Sequence, residues 1–120
     1  MATIPSVNYS NASAPQTVTP VTPVQTANVL DYKANKRQTL YVQNGSGASI
    51  NVTLKGSAAP AAYQCPGTLR TEDLSTGSVV AVAAGALRAI PLTQAAQVLK
   101  GNTTVDFSAV TTVTCWLVED

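Results

Sequence analysis

Beyond residue 37 the apolar side chains of this chain recur at every second position. Leu40 and Val42 flank Tyr41, and Ile50, Val52 and Leu54 alternate with Asn51, Thr53 and Lys55. Thr103, Val105 and Phe107 alternate with Thr104, Asp106 and Ser108. Val113, Cys115 and Leu117 share one face, with Trp116 on the other. A period of two sends neighbouring side chains to opposite faces of a strand, whereas a helix needs a period between three and four. The chain is therefore expected to be all-β. Asn44-Gly45-Ser46-Gly47 supplies residues that tolerate a positive φ, so residues 38–55 predict a hairpin. Val79, Val80 and Val82, then Leu87, Ala89 and Ile90, predict a second strand–turn–strand unit bent at Gly85. Residues 103–118 predict a third. Three such units, with turn signals every 8–12 residues or roughly so, indicate a small antiparallel sandwich or jelly-roll-like domain. Thr93–Lys100 has the one helical composition, two turns at most, with Thr93 as N-cap and Gly101 as stop.

The first thirty residues are of another kind. Asp31 is the first charged side chain, and Pro5, Pro15, Pro20 and Pro23 punctuate the segment before it. Proline fixes φ and biases its predecessor to extended backbone, which predicts polyproline II or edge-strand geometry. At about 3.1 Å per residue such a segment could reach on the order of 90 Å. The expected radius of the domain behind it is only roughly 12 Å. The segment reads as an extended N-terminal arm that docks on another molecule, a disordered tail being the plainer alternative. Its larger apolar side chains, Ile4, Val7, Tyr9, Val18, Val21 and Val24, are the expected docking contacts. The junction Asp31–Arg37 holds Lys33, Lys36 and Arg37, placed to meet carboxylates on a partner unless it is a solvated linker. The expected division is an arm and basic junction over 1–37 and a β domain over 38–120.

Composition narrows the function. Charged residues are 11% of the chain and the net charge is +1, against about a quarter charged in an average soluble domain. Neither nucleic-acid binding nor a polyanionic surface is suggested. A free monomer with so little charge is prone to association, so oligomerisation, docking on a partner, or both are expected, with a trimer favoured because a domain this small has a thin core. No run approaches the roughly 18 apolar residues of a membrane span. The start has neither a basic nor an apolar signal region, so synthesis in a cytoplasm without export is expected.

Chemistry is sparse. With no histidine and two cysteines, imidazole-based catalysis and a zinc site are both disfavoured. Cys65 and Cys115 are expected as free thiols, a late disulfide being the alternative. Glu72-Asp73 reads as a solvated surface pair. Asn8, Asn11, Asn44, Asn51 and Asn102 begin Asn-X-Ser/Thr triplets, taken mostly as chance in a chain so rich in Ser and Thr. No enzyme activity, cofactor or metal is expected.

The run Leu40–Leu54, a strand, an Asn-Gly-type turn and a Val/Thr-rich return strand, resembles the first hairpin of small tailed-phage virion proteins. Val79–Leu92 is similar to their Val-rich strand, Ala-Gly bend and Pro-ended strand, and 105–118 to their closing hairpin. The helix-like Thr93–Lys100 segment departs from that pattern. The resemblance covers about residues 38–118 and implies a capsid decoration (cement) protein. Such proteins sit on the outside of an icosahedral head, often as trimers, and clamp adjacent major capsid protein subunits, sometimes with extended arms. Its implied location is the virion surface. The alternative is a phage tail, neck or fibre module contacting a host glycan or protein through aromatics near Trp116 or Tyr63. A third reading is a cell-surface fibre subunit completed by donated strands, with the arm as donor.

Overall fold

The computed structural model describes residues 3–8, 20–26, 28–33, 35–59, 61–64, 67, 70–95 and 98–119. The fold is all-β. Among the described residues, eleven strands occur in chain order. They are β1 (Thr3–Ile4), β2 (Ser6–Asn8), β3 (Asn28–Leu30), β4 (Gln38–Asn44), β5 (Ile50–Gly56), β6 (Tyr63–Gln64), β7 (Thr71–Glu72), β8 (Ser78–Val82), β9 (Leu87–Pro91), β10 (Thr103–Phe107) and β11 (Val113–Glu119). One sheet has the order β1-β3-β10-β5-β8, and the other β2-β11-β4-β9. β6 and β7 form a separate two-stranded ladder.

The alternation holds where it was expected. In β4, β10 and β11, and in β5 as far as Leu54, every second residue is buried. Leu40, Val42, Val52, Leu54, Val105, Cys115 and Leu117 meet as the shared core of the two sheets. At about 25 cal/mol per Å² of apolar surface removed from water, burial of this kind is the main force holding the layers together.

The three expected hairpins are not hairpins. β4 lies in one sheet and β5 in the other, and the same is true of β8 and β9 and of β10 and β11. Each connection is an arch that carries the chain across the core. β3 pairs antiparallel with β10, β4 with β9, β5 with β8 and β6 with β7. The pairs nest inside one another like a single long ribbon folded over itself, which is jelly-roll-like connectivity. A hairpin and an arch leave the same in–out alternation along each strand, so periodicity could not separate them.

Buried amides mark the crossings. Asn44 is fully buried. Its amide nitrogen donates to the carbonyls of Ala48, Val82 and Ala83 at 2.8, 3.3 and 3.2 Å. Its side-chain oxygen accepts from the Ser46 N–H at 3.0 Å and the Ser46 hydroxyl at 2.7 Å. One side chain thus joins the β4–β5 arch to the end of β8. Asn44 is consequently a structural residue and not a modification site.

The N-terminal segment also departs from expectation. β1 runs parallel to β3, with Thr3 opposite Val29 and Ile4 opposite Leu30. β2 runs parallel to β11, with Ser6 opposite Leu117 and Asn8 opposite Glu119. Pro5 is the single residue between them, where the chain steps from one sheet to the other. The boundary expected at residues 37 and 38 therefore does not separate two bodies, because strands on both sides of it share both sheets. At the Thr93–Lys100 segment expected as a helix, the described residues form a 3₁₀ turn, Leu92–Ala95. Leu92, Val98 and Leu99 are buried, so core contacts override the local helical composition. Val98 and Lys100 approach β5 so closely that a Cβ on Gly56 would run into their backbone.

Candidate interaction surface

The outward residues of β11, β4 and β9 form a regular grid. The register sets Thr114 beside Gln43 and Leu87, Trp116 beside Tyr41 and Ala89, and Val118 beside Thr39 and Pro91. Every one is half-buried or exposed, and none carries a charge. Leu87 is 56% exposed. Tyr41 and Trp116 stack with ring centroids 5.7 Å apart and planes 12° from parallel. Such a cross-strand aromatic pair is worth about 0.5–1.5 kcal/mol beyond its buried area.

The outward face of the other sheet is different. Thr53, Thr104, Asn51, Lys55 and Asp106 lie there, and the Lys55 ammonium meets the Asp106 carboxylate at 2.7 Å. That face is charged but also carries exposed Val29 and Val79, whereas the face of β11, β4 and β9 is aromatic and uncharged. Exposed apolar surface on one face of a small sandwich is where a partner gains most from covering it.

The expected arm contacts are dispersed, and one is a clear correction. Ile4 is 0% exposed and sits in this chain's own core, so it cannot present itself to another molecule while the fold is intact. Val7 pairs with Val118 in β11. Val21 is half-buried and forms an antiparallel bridge with Cys115, its N–H donating at 2.7 Å and its carbonyl accepting at 3.0 Å. β2 and Val21 both lie along β11 on the side away from β4, so the arm covers that edge. Val24 is 40% exposed. Its backbone is held by Asn28, whose side-chain oxygen accepts from the Val24 N–H at 2.9 Å while its amide donates to the Val24 carbonyl at 2.6 Å. Tyr9 and Val18 lie outside the described residues.

The basic junction splits too. The Lys33 ammonium meets Glu119 of its own chain at 3.2 Å and Asp31 at 4.0 Å. Lys36 and Arg37 are exposed. Nearby, Gln38 is buried. Its amide donates to the Ser6 hydroxyl and the Asp31 carbonyl, and its oxygen accepts from the Lys33 N–H.

Cys115 is a buried free thiol. Burial pushes its pKa up to about 12, which keeps it protonated and unreactive. Cys65 lies outside the described residues. Asp73 holds its carboxyl below the usual range because the Ser75 hydroxyl and N–H both donate to it. Among the described residues no three His, Cys, Asp or Glu side chains converge, and no helix is long and apolar enough to cross a membrane. An open groove of about 600 Å³ runs beside β1, β3 and β10, and among the described residues of its wall Asp31 is the charged one.

The Tyr41–Trp116 pair was hidden from sequence reasoning. Both sit at outward positions of their strands, but they lie 75 positions apart in the chain, and only the pairing of β4 with β11 brings them together. Leu87 and Val79, which sequence reasoning placed in apolar runs, prove exposed at 56% and 60%. Comparison with protein-family models, curated proteins and solved structures finds no match.

Proposed function

We propose that this chain is a non-enzymatic attachment protein that binds through the uncharged face of β11, β4 and β9. We assign it to the outer surface of a tailed-phage head, where it decorates the shell and stabilises contacts between major capsid subunits. The observation that carries the attachment role is the absence of charge from the outward grid of β11, β4 and β9, where the Tyr41–Trp116 stack and exposed Leu87 lie. The other face carries the Lys55–Asp106 ion pair beside exposed Val29 and Val79. The virion assignment rests on the resemblance of residues 38–118 to small phage virion proteins. The docking element is the face and not the described part of the arm, whose strands are used by the fold itself.

A glycan-binding module is less favoured. Sugars stack on an open aromatic face, and Tyr41 and Trp116 each lose one face to the other. Cosedimentation of the purified protein with phage heads lacking it tests the reading. Wild-type protein and Val79→Glu, altered on the charged sheet, should bind alike, while Thr114→Glu should lose binding. Equal binding by Thr114→Glu would refute the assignment of the face. A glycan-array signal without particle binding would establish the alternative.

A further inference from the structure

On the side of the sandwich opposite the arm, β8 and β9 are the edge strands among the described residues. The hydrogen-bond phase of β9 follows from one bond. Asn44 donates its N–H to the Ala86 carbonyl at 2.9 Å. In an antiparallel ladder, bonded and non-bonded pairs alternate. Val42 with Arg88 and Leu40 with Ile90 are therefore the bonded pairs, and Leu87, Ala89 and Pro91 turn their backbone groups outward. Two N–H groups and three carbonyls point away from the sheet, since Pro91 has no N–H. No strand pairs with this edge among the described residues. The nested order of the fold would bring the β6·β7 pair beside β9, but with two residues per strand it forms its own ladder instead.

The neighbouring edge is better guarded. The same reasoning applies to β5, where Asn51 bonds to Ser108 on the β10 side, its carbonyl accepting from the Ser108 N–H at 3.0 Å. Val79 and Ala81 of β8 therefore face outward. The Arg88 guanidinium donates to the Ala81 carbonyl at 2.8 Å, which caps that edge with a charge. Charged or covered edges are how sheet proteins resist strand addition. Among the described residues, β2 and Val21 lie along β11, Arg88 occupies one carbonyl of the β8 edge, and no strand lies along β9.

We propose that β9 is a self-association edge, on which the β9 strand of a second copy adds antiparallel about a two-fold axis at Ala89. The strand complements itself. Ala89 and the partner's Ala89 exchange both of their backbone bonds. Each Leu87 N–H reaches the carbonyl of the partner's Pro91, so the missing proline N–H costs one bond at each end of the ladder. Side chains match as well: Leu87 lies over the partner's Pro91 on the uncharged face, and no like charges are opposed. The two four-stranded sheets become one continuous sheet. A two-fold contact of this kind closes at two copies, so the oligomer is a dimer and not the trimer that composition suggested. With a single short strand per copy in the contact, association is weak and concentration-dependent.

Sedimentation velocity over a concentration series, with full-length protein, tests this. Wild type should show a reversible monomer–dimer equilibrium. Ala89→Pro, which removes both central N–H donors from an edge position that tolerates proline, should weaken it by roughly tenfold or more. Ala89→Cys provides a second test that does not depend on tolerance of proline. Paired residues at the axis have Cα atoms about 5.5 Å apart, within disulfide range. Mild oxidation should therefore link position 89 to itself, as read by non-reducing electrophoresis and peptide mass spectrometry. A monomer at all concentrations, a trimer, or a dimer abolished by Thr114→Glu but indifferent to Ala89→Pro and unlinked through position 89 would each overturn the proposal. Particle binding is read in the separate cosedimentation assay, so either result stands without the other.

Discussion

At the scale of single residues, three buried amides do work that apolar packing cannot. Asn28, Gln38 and Asn44 are each nearly or wholly buried, and each joins segments distant in sequence. The Asn28 amide donates to the Val105 carbonyl at 2.9 Å, while Gln38 and Asn44 hold the N-terminal crossing and the β4–β5 arch. Removing such a side chain strands carbonyls that water cannot reach, at about 1–3 kcal/mol per group. Asn44→Leu should therefore lower the urea midpoint with little change in the slope. Cys115 supplies a pH signature. Between the ordinary thiol value of 9.0 and about 12, the native state keeps a proton that the unfolded state has lost. The native state then binds more protons, so stability falls as pH rises through that window and is fully retained below it. Denaturation at alkaline pH should show a shallower decline for Cys115→Val than for wild type. An equal decline would mean that the thiol is not held protonated. Thr112 adopts φ +56° in the turn before β11, a left-handed conformation that costs a β-branched residue about 1–2 kcal/mol. Asparagine tolerates it better, so Thr112→Asn should raise the melting temperature.

At the scale of elements, the short strands β1 and β2 matter more than their length implies. Ile4 fills the core, and β2 covers part of the β11 edge. Ile4→Ala should cost about 2–5 kcal/mol, measured by urea unfolding. A freely projecting arm would lose nothing. Deletion of residues 1–8 should likewise destabilise the whole domain and not merely abolish binding. The reason this was illegible lies in the residues themselves. A segment of small, β-branched and proline residues without charge is equally suited to an edge strand and to an extended tether, because both keep the backbone extended. The choice falls to Ile4 and Leu30, which gain more by burial against the domain than by exposure. The arches show the same limit. Leu40, Val42, Ile50 and Val52 announce their inward direction, but nothing in their spacing says which sheet they enter. At Gly56, by contrast, substitution by alanine should be strongly destabilising, because backbone from Val98 to Lys100 occupies the space a Cβ needs.

At the scale of the whole molecule, the nested pairing makes most stabilising contacts distant in sequence. β3 pairs with β10 across more than seventy residues. Loop closure of that length must precede the contacts that reward it, and all-β domains of this type fold in milliseconds to seconds. Trp116 is the one tryptophan, and its stack on Tyr41 forms only when β4 meets β11. Its fluorescence in stopped-flow refolding should change late, on roughly that slow timescale. A full change in the microsecond range would contradict the requirement for long-range pairing.

From its residues alone this chain was determined to be all-β, with β4, β5, β10 and β11 near their observed places and a known inward set in each of these four. Those properties are local, because a period of two and a turn residue act within a few positions. The tertiary structure alone decided that consecutive strands occupy opposite sheets, that the first thirty residues supply strands to both, and that Tyr41, Trp116 and Leu87 share one uncharged face. Alternation tells a side chain which way to point, while the identity of its neighbour depends on how distant segments divide a common core.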